Sequence, residues 1–240
     1  MKKVIVLVLA LLVAAGAFTG CSKQESKEET SSVIPTVLNT VEYTLYQNIF
    51  YNDKAGEYNG QEVTKEGTFA TLHDAYSDVT RYYVWGYNDN TKCCDWQWEL
   101  KIDDVNNLPA NGCLVTVKGT YETNDAALDG LWIVNPEISV KTKYKGNSYD
   151  IDMLSMSNTL ERVQITNVIN FPDKFSGKSI GFYGRVKSDN EIEDTYYDNS
   201  WSVTVNGDFE VPAFGTKMIA TGTVGDGVID DVKLSDNTQY

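Results

Sequence analysis

The chain has 240 residues, with 20 Lys and Arg against 34 Asp and Glu, and a formal net charge of −14. This acidity excludes a nucleic-acid-binding protein with a basic face, because negative charge repels phosphate backbones. The sequence is rich in aromatic and β-branched residues and contains 18 Gly. That composition favours a mostly β protein, since these side chains fit strands and glycines fit sharp bends.

The N-terminus has the pattern of a secretory signal peptide. Lys2 and Lys3 are followed by an apolar run that starts at Val4 and continues through small residues to Ala17. A positive start, a short apolar core and small residues after it are typical of such signals. The run is too short for a membrane-spanning helix, which needs about 20 apolar residues.

The residues Phe18-Thr19-Gly20-Cys21 resemble the lipobox of exported bacterial lipoproteins, although Phe18 stands where Leu is usual. The resemblance implies cleavage after Gly20 and a lipid such as palmitate on Cys21. It also implies a protein anchored in the cell membrane or the outer membrane, on the extracytoplasmic side. The alternative is an ordinary secretory signal with an incidental cysteine.

The segment from Ser22 to Pro35 is rich in Ser, Glu, Lys and Thr. It has too few apolar residues to bury a core, so it is predicted to be a flexible tether. The expected organisation is therefore a signal peptide over 1–20 and a lipidated tether over 21–35.

The rest of the sequence contains an internal repeat, a pattern that indicates repeated structural units. Glycines, a tryptophan strand, a Pro-x-x-Gly turn and a strand ending in glycine recur in the same order. The matched landmarks are Gly60/Gly177, Gly67/Gly184, Trp96/Trp201, Pro109/Pro212 and Gly119/Gly222. Each copy predicts five short strands with glycines at the bends, as in a small closed barrel.

Each copy is preceded by a stretch that could form a short helix, over Thr36 to Phe50 and over Met153 to Ile169. The phrase Phe175-Ser176-Gly177-Lys178 resembles one found in exported bacterial lipoproteins with tandem OB-fold-like domains. The resemblance implies a mostly β fold of two OB-like five-stranded barrels, over 36–145 and 146–240. A single β-sandwich whose strands look alike by composition is the alternative.

The first copy is longer, and most of the extra residues lie between Gly67 and Trp96. This region contains His73, the only histidine, which we expect to be a solvated loop residue. It also contains Tyr82, Tyr83 and Trp85. These aromatic residues are candidates for a platform that stacks on carbohydrate or peptide, or for one side of a core strand.

Cys93, Cys94 and Cys113 have no counterpart in the second copy, and they allow three interpretations. Cys113 could form a disulfide with Cys93 or Cys94, as an oxidising compartment permits. The three thiols could bind zinc or copper, with or without His73. They could also be ordinary small buried residues. The Cys93-Cys94 pair before a strand resembles an exported or membrane-associated family, some members of which handle metals.

The sequence lacks a Gly-x-Ser-x-Gly elbow, a phosphate-binding glycine loop and a His-x-x-x-His pair. Since these patterns mark common catalytic sites, we predict a non-catalytic binding or scaffold lipoprotein of the cell envelope, without a cofactor. The expected partners are the membrane, through the lipid on Cys21, and another envelope protein, a peptide or a glycan. The alternative is a metal-handling or thiol-redox lipoprotein that uses the three cysteines.

Overall fold

A computed structural model describes residues 27–30, 59–87, 94–123, 131–145, 147–196 and 199–237. The described chain is mostly β, as the composition predicts, with two six-stranded sheets and two α-helices. The helix predicted over 36–50, the signal peptide and Cys21 lie outside the described residues. Among those residues, the structure contains no helix that is long and apolar enough to span a membrane.

The first sheet is built from the N-terminal half of the chain. Its strands run in the order β1-β6-β4-β3-β2-β5, and β5 also pairs with β6. Each strand from β2 to β6 therefore has a neighbour on both sides. The β4–β6 and β1–β6 pairs are parallel, and the others are antiparallel. The strands are β1 Lys27–Thr30, β2 Glu62–Asp74, β3 Val79–Tyr87, β4 Asp95–Lys101, β5 Leu114–Thr123 and β6 Leu131–Tyr144.

Five strands of the second sheet have the same arrangement, whereas its sixth strand, β7, pairs with β8. Its order is β11-β12-β10-β9-β8-β7, β11 also pairs with β8, and β10 pairs with β12 in parallel. A 3-10 turn over Met153–Ser155 and two helices, α1 Asn158–Asn170 and α2 Pro172–Phe175, lie between β7 and β8. The strands are β7 Ile151–Asp152, β8 Ser179–Ser188, β9 Glu191–Tyr196, β10 Asn199–Val205, β11 Lys217–Val224 and β12 Val228–Asp236.

The landmarks of the repeat make equivalent contacts in the two sheets. A Cβ atom on Gly67 would lie 3.0 Å from Cη2 of Trp96, and a Cβ on Gly184 would lie 3.2 Å from Cη2 of Trp201. Each glycine thus leaves room for a tryptophan indole. The Pro-x-x-Gly turns also match, since Gly112 and Gly215 have φ angles of +85° and +84°, a conformation that L side chains rarely adopt.

Helix α1 begins five residues after the predicted start, because the 3-10 turn precedes it. Ser157 caps the helix, and its Oγ accepts a hydrogen bond from the backbone N–H of Leu160 at 3.2 Å. Within the segment predicted as a tether, Lys27–Thr30 forms β1 at the edge of the first sheet, beside Thr142 and Tyr144.

The core has two parts. One lies within the first sheet and includes Trp96, Val115 and Ile133. The other consists of residues on the opposite face of β2 and β3, on α1, and on β8 to β12. The two sheets therefore share a hydrophobic cluster, and α1 lies between them.

Candidate functional site

The outer face of β3 forms one wall of the junction between the sheets. Tyr83, Trp85 and Tyr87 are 0%, 2% and 6% exposed and belong to the cluster that contains α1. The indole Nε1 of Trp85 donates a hydrogen bond to the backbone oxygen of Ser155 at 3.2 Å. Alternation along the strand directs these three side chains to the same face, and the segment before the second sheet covers that face.

This arrangement corrects the prediction of an aromatic platform at Tyr82, Tyr83 and Trp85. A ligand arriving from solvent cannot stack on Tyr83 or Trp85, because both are buried against another part of the chain. Tyr82 lies on the opposite face of β3, half-buried, with its ring 6.3 Å from that of Phe69 in a stacked arrangement. The three aromatic residues therefore do not form one exposed surface.

Paired hydrogen bonds fix the junction near the start of α1 and at its middle. The amide of Gln164 contacts the backbone of His73 twice, accepting from its N–H at 2.7 Å and donating to its carbonyl at 3.4 Å. The carboxylate of Asp95, at the start of β4, accepts from the backbone N–H of Thr159 at 2.9 Å and from its hydroxyl at 2.6 Å. Because these contacts are bidentate, they fix orientation as well as distance.

Helix α2 adds a third contact to the β2–β3 turn. The Lys174 ammonium donates to the carbonyl of Ala75 at 2.7 Å and to a carboxylate oxygen of Asp78 at 3.0 Å. The Asp78 carboxylate also lies 3.7 Å from Nε2 of His73. The ring of His73 packs edge-on against Phe175, with 5.4 Å between ring centroids. His73 is thus a half-buried junction residue rather than the solvated loop residue that the sequence predicts.

A cleft of about 260 Å³ opens between these contacts, and both sheets contribute to it. Its size is close to the lower end of the range for small-molecule sites. Eight of its ten lining residues have polar side chains, including one histidine, two carboxyls, one ammonium and two amides. The lining residues are Thr71, His73 and Thr80 on β2 and β3, Asn111 in the turn before β5, and Asp150, Ile151, Asp152, Gln164, Phe175 and Lys178 in the segment that contains β7 and the two helices.

The two carboxyls of the cleft have different environments. Asp152 is buried, and burial raises its pKa, although hydrogen bonds from Ser155 and Asn147 oppose the shift. The hydroxyl of Ser155 donates to it at 2.6 Å. Asp150 is exposed, and the N–H and hydroxyl of Ser179 lower its pKa by donating to the carboxylate, each at 2.8 Å. The cleft therefore contains a buried carboxyl whose pKa is raised and an exposed carboxyl whose pKa is lowered.

The turn residue Asn111 connects the cleft to the first sheet. Its Oδ1 accepts a hydrogen bond from the Thr71 hydroxyl at 2.7 Å, which leaves the amide NH2 group as a donor for a ligand. Together with His73, Gln164 and Lys178, it supplies both donors and acceptors. This set of groups is suited to recognising a small polar molecule by hydrogen bonds and charge.

The cysteines are separated in the structure. Cys113 is buried, and its sulfur accepts a hydrogen bond from the backbone N–H of Tyr144 at 3.4 Å. Cys94 is exposed at the start of β4, and Cys93 lies outside the described residues. Within the described part of the chain, Cys113 forms no disulfide, so the predicted disulfide between Cys94 and Cys113 is not present.

Of the predicted metal ligands, Cys93 lies outside the described residues, and Cys113 and His73 are not close to each other. The backbone N–H of Phe69 bonds to the Cys113 carbonyl, and His73 lies four residues further along β2, roughly 13 Å away at the rise of a strand. No group of three or more His, Cys, Asp or Glu side chains that could hold a metal ion occurs among the described residues.

Glu161 is a buried carboxyl that the sequence interpretation missed. It lies in the first turn of α1, and its Oε1 accepts a hydrogen bond from the backbone N–H of Tyr183 on β8 at 2.6 Å. Burial raises its pKa to about 8. A signal for it exists in the sequence, because Asn158-Thr159-Leu160-Glu161 repeats Asn39-Thr40-Val41-Glu42.

The chain was compared with known proteins. No family model matches it, and no curated protein matches it.

Proposed function

We propose that each sheet is an OB-like barrel and that the chain contains two such barrels in tandem. The strands β2 to β6 and the strands β8 to β12 can each be numbered 1 to 5 along the chain. Neighbouring strands then follow the order 1-2-3-5-4-1 in both sheets, and strands 3 and 5 are parallel. The paired tryptophans over Gly67 and Gly184 give both units the same bend. These features support a five-stranded Greek-key barrel of the OB type.

We further propose that the protein is an exported lipoprotein, attached to a cell-envelope membrane by a lipid on Cys21. The support comes from the sequence alone: a secretory signal pattern, followed by Phe18-Thr19-Gly20-Cys21. In this proposal, the two barrels face the extracytoplasmic side.

The proposed activity is non-catalytic binding of a small polar group in the cleft between the sheets, for example part of a peptide or a glycan. The observation that carries this proposal is that both units line the cleft, with His73 and Asn111 on one side and Asp152 and Lys178 on the other. OB-type barrels bind ligands on the face of strands 2 and 3. In the first unit part of that face is covered, because Trp85 packs against the α1 segment, so the cleft beside it is the open polar site.

Peptide and oligosaccharide arrays probed with the full chain test this function. We expect a ligand whose affinity falls at least about tenfold in Asn111→Ala and in Lys178→Ala, because each change removes a polar contact. Lys233→Ala is a matched control, since Lys233 is an exposed lysine on β12 that does not line the cleft. Ligands whose affinity is the same in all three variants would locate binding elsewhere on the protein.

The lipid anchor has its own test. In cells supplied with labelled palmitate, the wild-type chain should incorporate label and fractionate with membranes. The Cys21→Ser chain should do neither, whereas Cys94→Ser should behave like wild type. Membrane fractionation of the Cys21→Ser chain to the wild-type extent would remove the anchor from the proposal.

A further inference from the structure

The end of β6 carries a stripe of lysines in an otherwise acidic protein. Lys141, Lys143 and Lys145 are exposed, whereas Thr142 and Tyr144 between them are buried. The three lysines are thus exposed at alternate positions, within about 13 Å along the chain. None of the three forms an ion pair with another described residue. We call these residues the lysine stripe.

The lysine stripe lies close to the proposed anchor. Strand β1 pairs with this part of β6, and Lys27 lies opposite Thr142, between Lys141 and Lys143. Lys27 is six positions after Cys21. Because an extended chain spans at most about 3.5 Å per residue, the backbone of Cys21 is held within about 21 Å of that of Lys27.

We propose that the lysine stripe contacts an anionic lipid surface beside the anchor, and this proposal rests on the proposed lipidation of Cys21. Lysines held near anionic headgroups bind them electrostatically, and a basic patch commonly acts as a second signal beside a lipid. In sequence, the segments 27–30 and 141–145 together contain four lysines and two glutamates.

The charge distribution also determines an orientation. The chain as a whole has a net charge of −14, so an anionic surface repels most of the molecule and attracts the stripe. The stripe is adjacent to the cleft, since Asn147 donates both to the Tyr144 hydroxyl at 3.2 Å and to Asp152 at 3.3 Å. The contact would therefore hold the junction of the two units near the membrane.

The test uses the lipidated chain in vesicles of phosphatidylcholine, with and without phosphatidylglycerol. An amine-reactive label and mass spectrometry measure the accessibility of each lysine. We expect the lysine stripe to be protected on anionic vesicles at low salt, and labelled as fast as Lys233 on neutral vesicles or at high salt. Equal labelling of the stripe and Lys233 on anionic vesicles would overturn the proposal.

A matched pair of variants provides a second measurement. Lys143→Gln should speed transfer of the protein from anionic to neutral vesicles by about fivefold, as expected for loss of one lysine near the surface. Lys233→Gln should leave the transfer rate unchanged, and equal rates for the two variants would contradict the proposal. Release from both vesicle types at high salt would instead show that the lipid anchor is absent, and the stripe proposal would fall with it.

Discussion

Equivalent strand faces of the two sheets have opposite chemistry. In the first sheet, Leu72 on β2 and Tyr83 and Trp85 on β3 are buried against the segment that contains α1. Trp96 and Trp201 are matched positions, and the strand registers extend this match to β3 and β9. The positions of Tyr83 and Trp85 are then occupied in the second sheet by Glu191 and Glu193. The same pairing pattern therefore supports either an interface or a solvated surface, depending on a few side chains.

The polar face of the second sheet explains why it needs no covering segment. Lys187 lies 2.8 Å from Glu191 and 3.9 Å from Glu193, and all three side chains are 30% exposed or more. Exposed ion pairs of this kind contribute little to stability, but they keep the face soluble. The elaborated hairpin of the first unit is thus the part of the repeat that makes contact with its neighbour.

The largest effect should come from removing the central aromatic residue of the junction. Trp85→Ala should lower the free energy of unfolding by about 3–5 kcal/mol, because it leaves a cavity and an unpaired Ser155 carbonyl. Glu193→Ala, at the equivalent position, should change it by less than about 0.5 kcal/mol. Urea denaturation followed by far-UV circular dichroism measures both. Similar losses in the two variants would contradict the difference between the faces.

Glu161 should make stability depend on pH. Its pKa is about 8 in the folded chain against an ordinary 4.5, so the folded state holds a proton that the unfolded state releases. The stabilisation is complete below 4.5 and is lost as the pH rises through 8, by about 1.4 kcal/mol per pH unit between these values. The difference between wild type and Glu161→Gln, measured by urea denaturation across this range, isolates the contribution. Glu193→Gln serves as the control, and a Glu161→Gln difference that is flat with pH would refute the buried neutral carboxyl.

Substitutions of Gly67 and Gly184, which lie under Trp96 and Trp201, test whether the two units are structurally equivalent. Gly67→Ala and Gly184→Ala should each cost about 1–3 kcal/mol, because the added methyl meets an indole and a neighbouring strand. Gly60→Ala is a useful comparison, since its site is open but its φ is +81°, so the cost there comes from backbone strain alone. Thermal unfolding with near-UV detection gives the values. A large cost in only one sheet would show that the repeat is not structurally equivalent.

The smallest effect concerns the start of α1. Asp95→Ala removes two hydrogen bonds to Thr159 and should cost about 1 kcal/mol, as for the loss of a helix cap. Ser200, at the equivalent position before Trp201, is exposed, so Ser200→Ala should be neutral within about 0.5 kcal/mol. A neutral Asp95→Ala in urea denaturation would mean that this contact does not stabilise the junction.

Much of the second unit was predictable from the sequence, because its signals are local. Alternation around Trp201 and the turn at Pro212 to Gly215 depend on neighbouring residues, whereas the start of α1 was predicted five residues too early. The role of Tyr83 and Trp85 could not be predicted, since alternation fixes which side chains share a face but not what covers that face. The cleft could not be predicted either, because it depends on contacts between distant parts of the chain. His73 and Gln164 are 91 residues apart in the chain and meet only after both sheets have formed.

The account depends on Trp85 being part of the junction, and hydrogen exchange of its indole N–H tests this directly. The signal is assigned in the full-length chain by NMR, with Trp85→Phe as the reference that lacks it. A buried indole bonded to Ser155 should exchange far more slowly than an exposed one, with a protection that falls when the chain unfolds in urea. Exchange at the rate of a solvent-exposed indole would show that the aromatic face is open. The prediction that this face is a ligand platform would then stand.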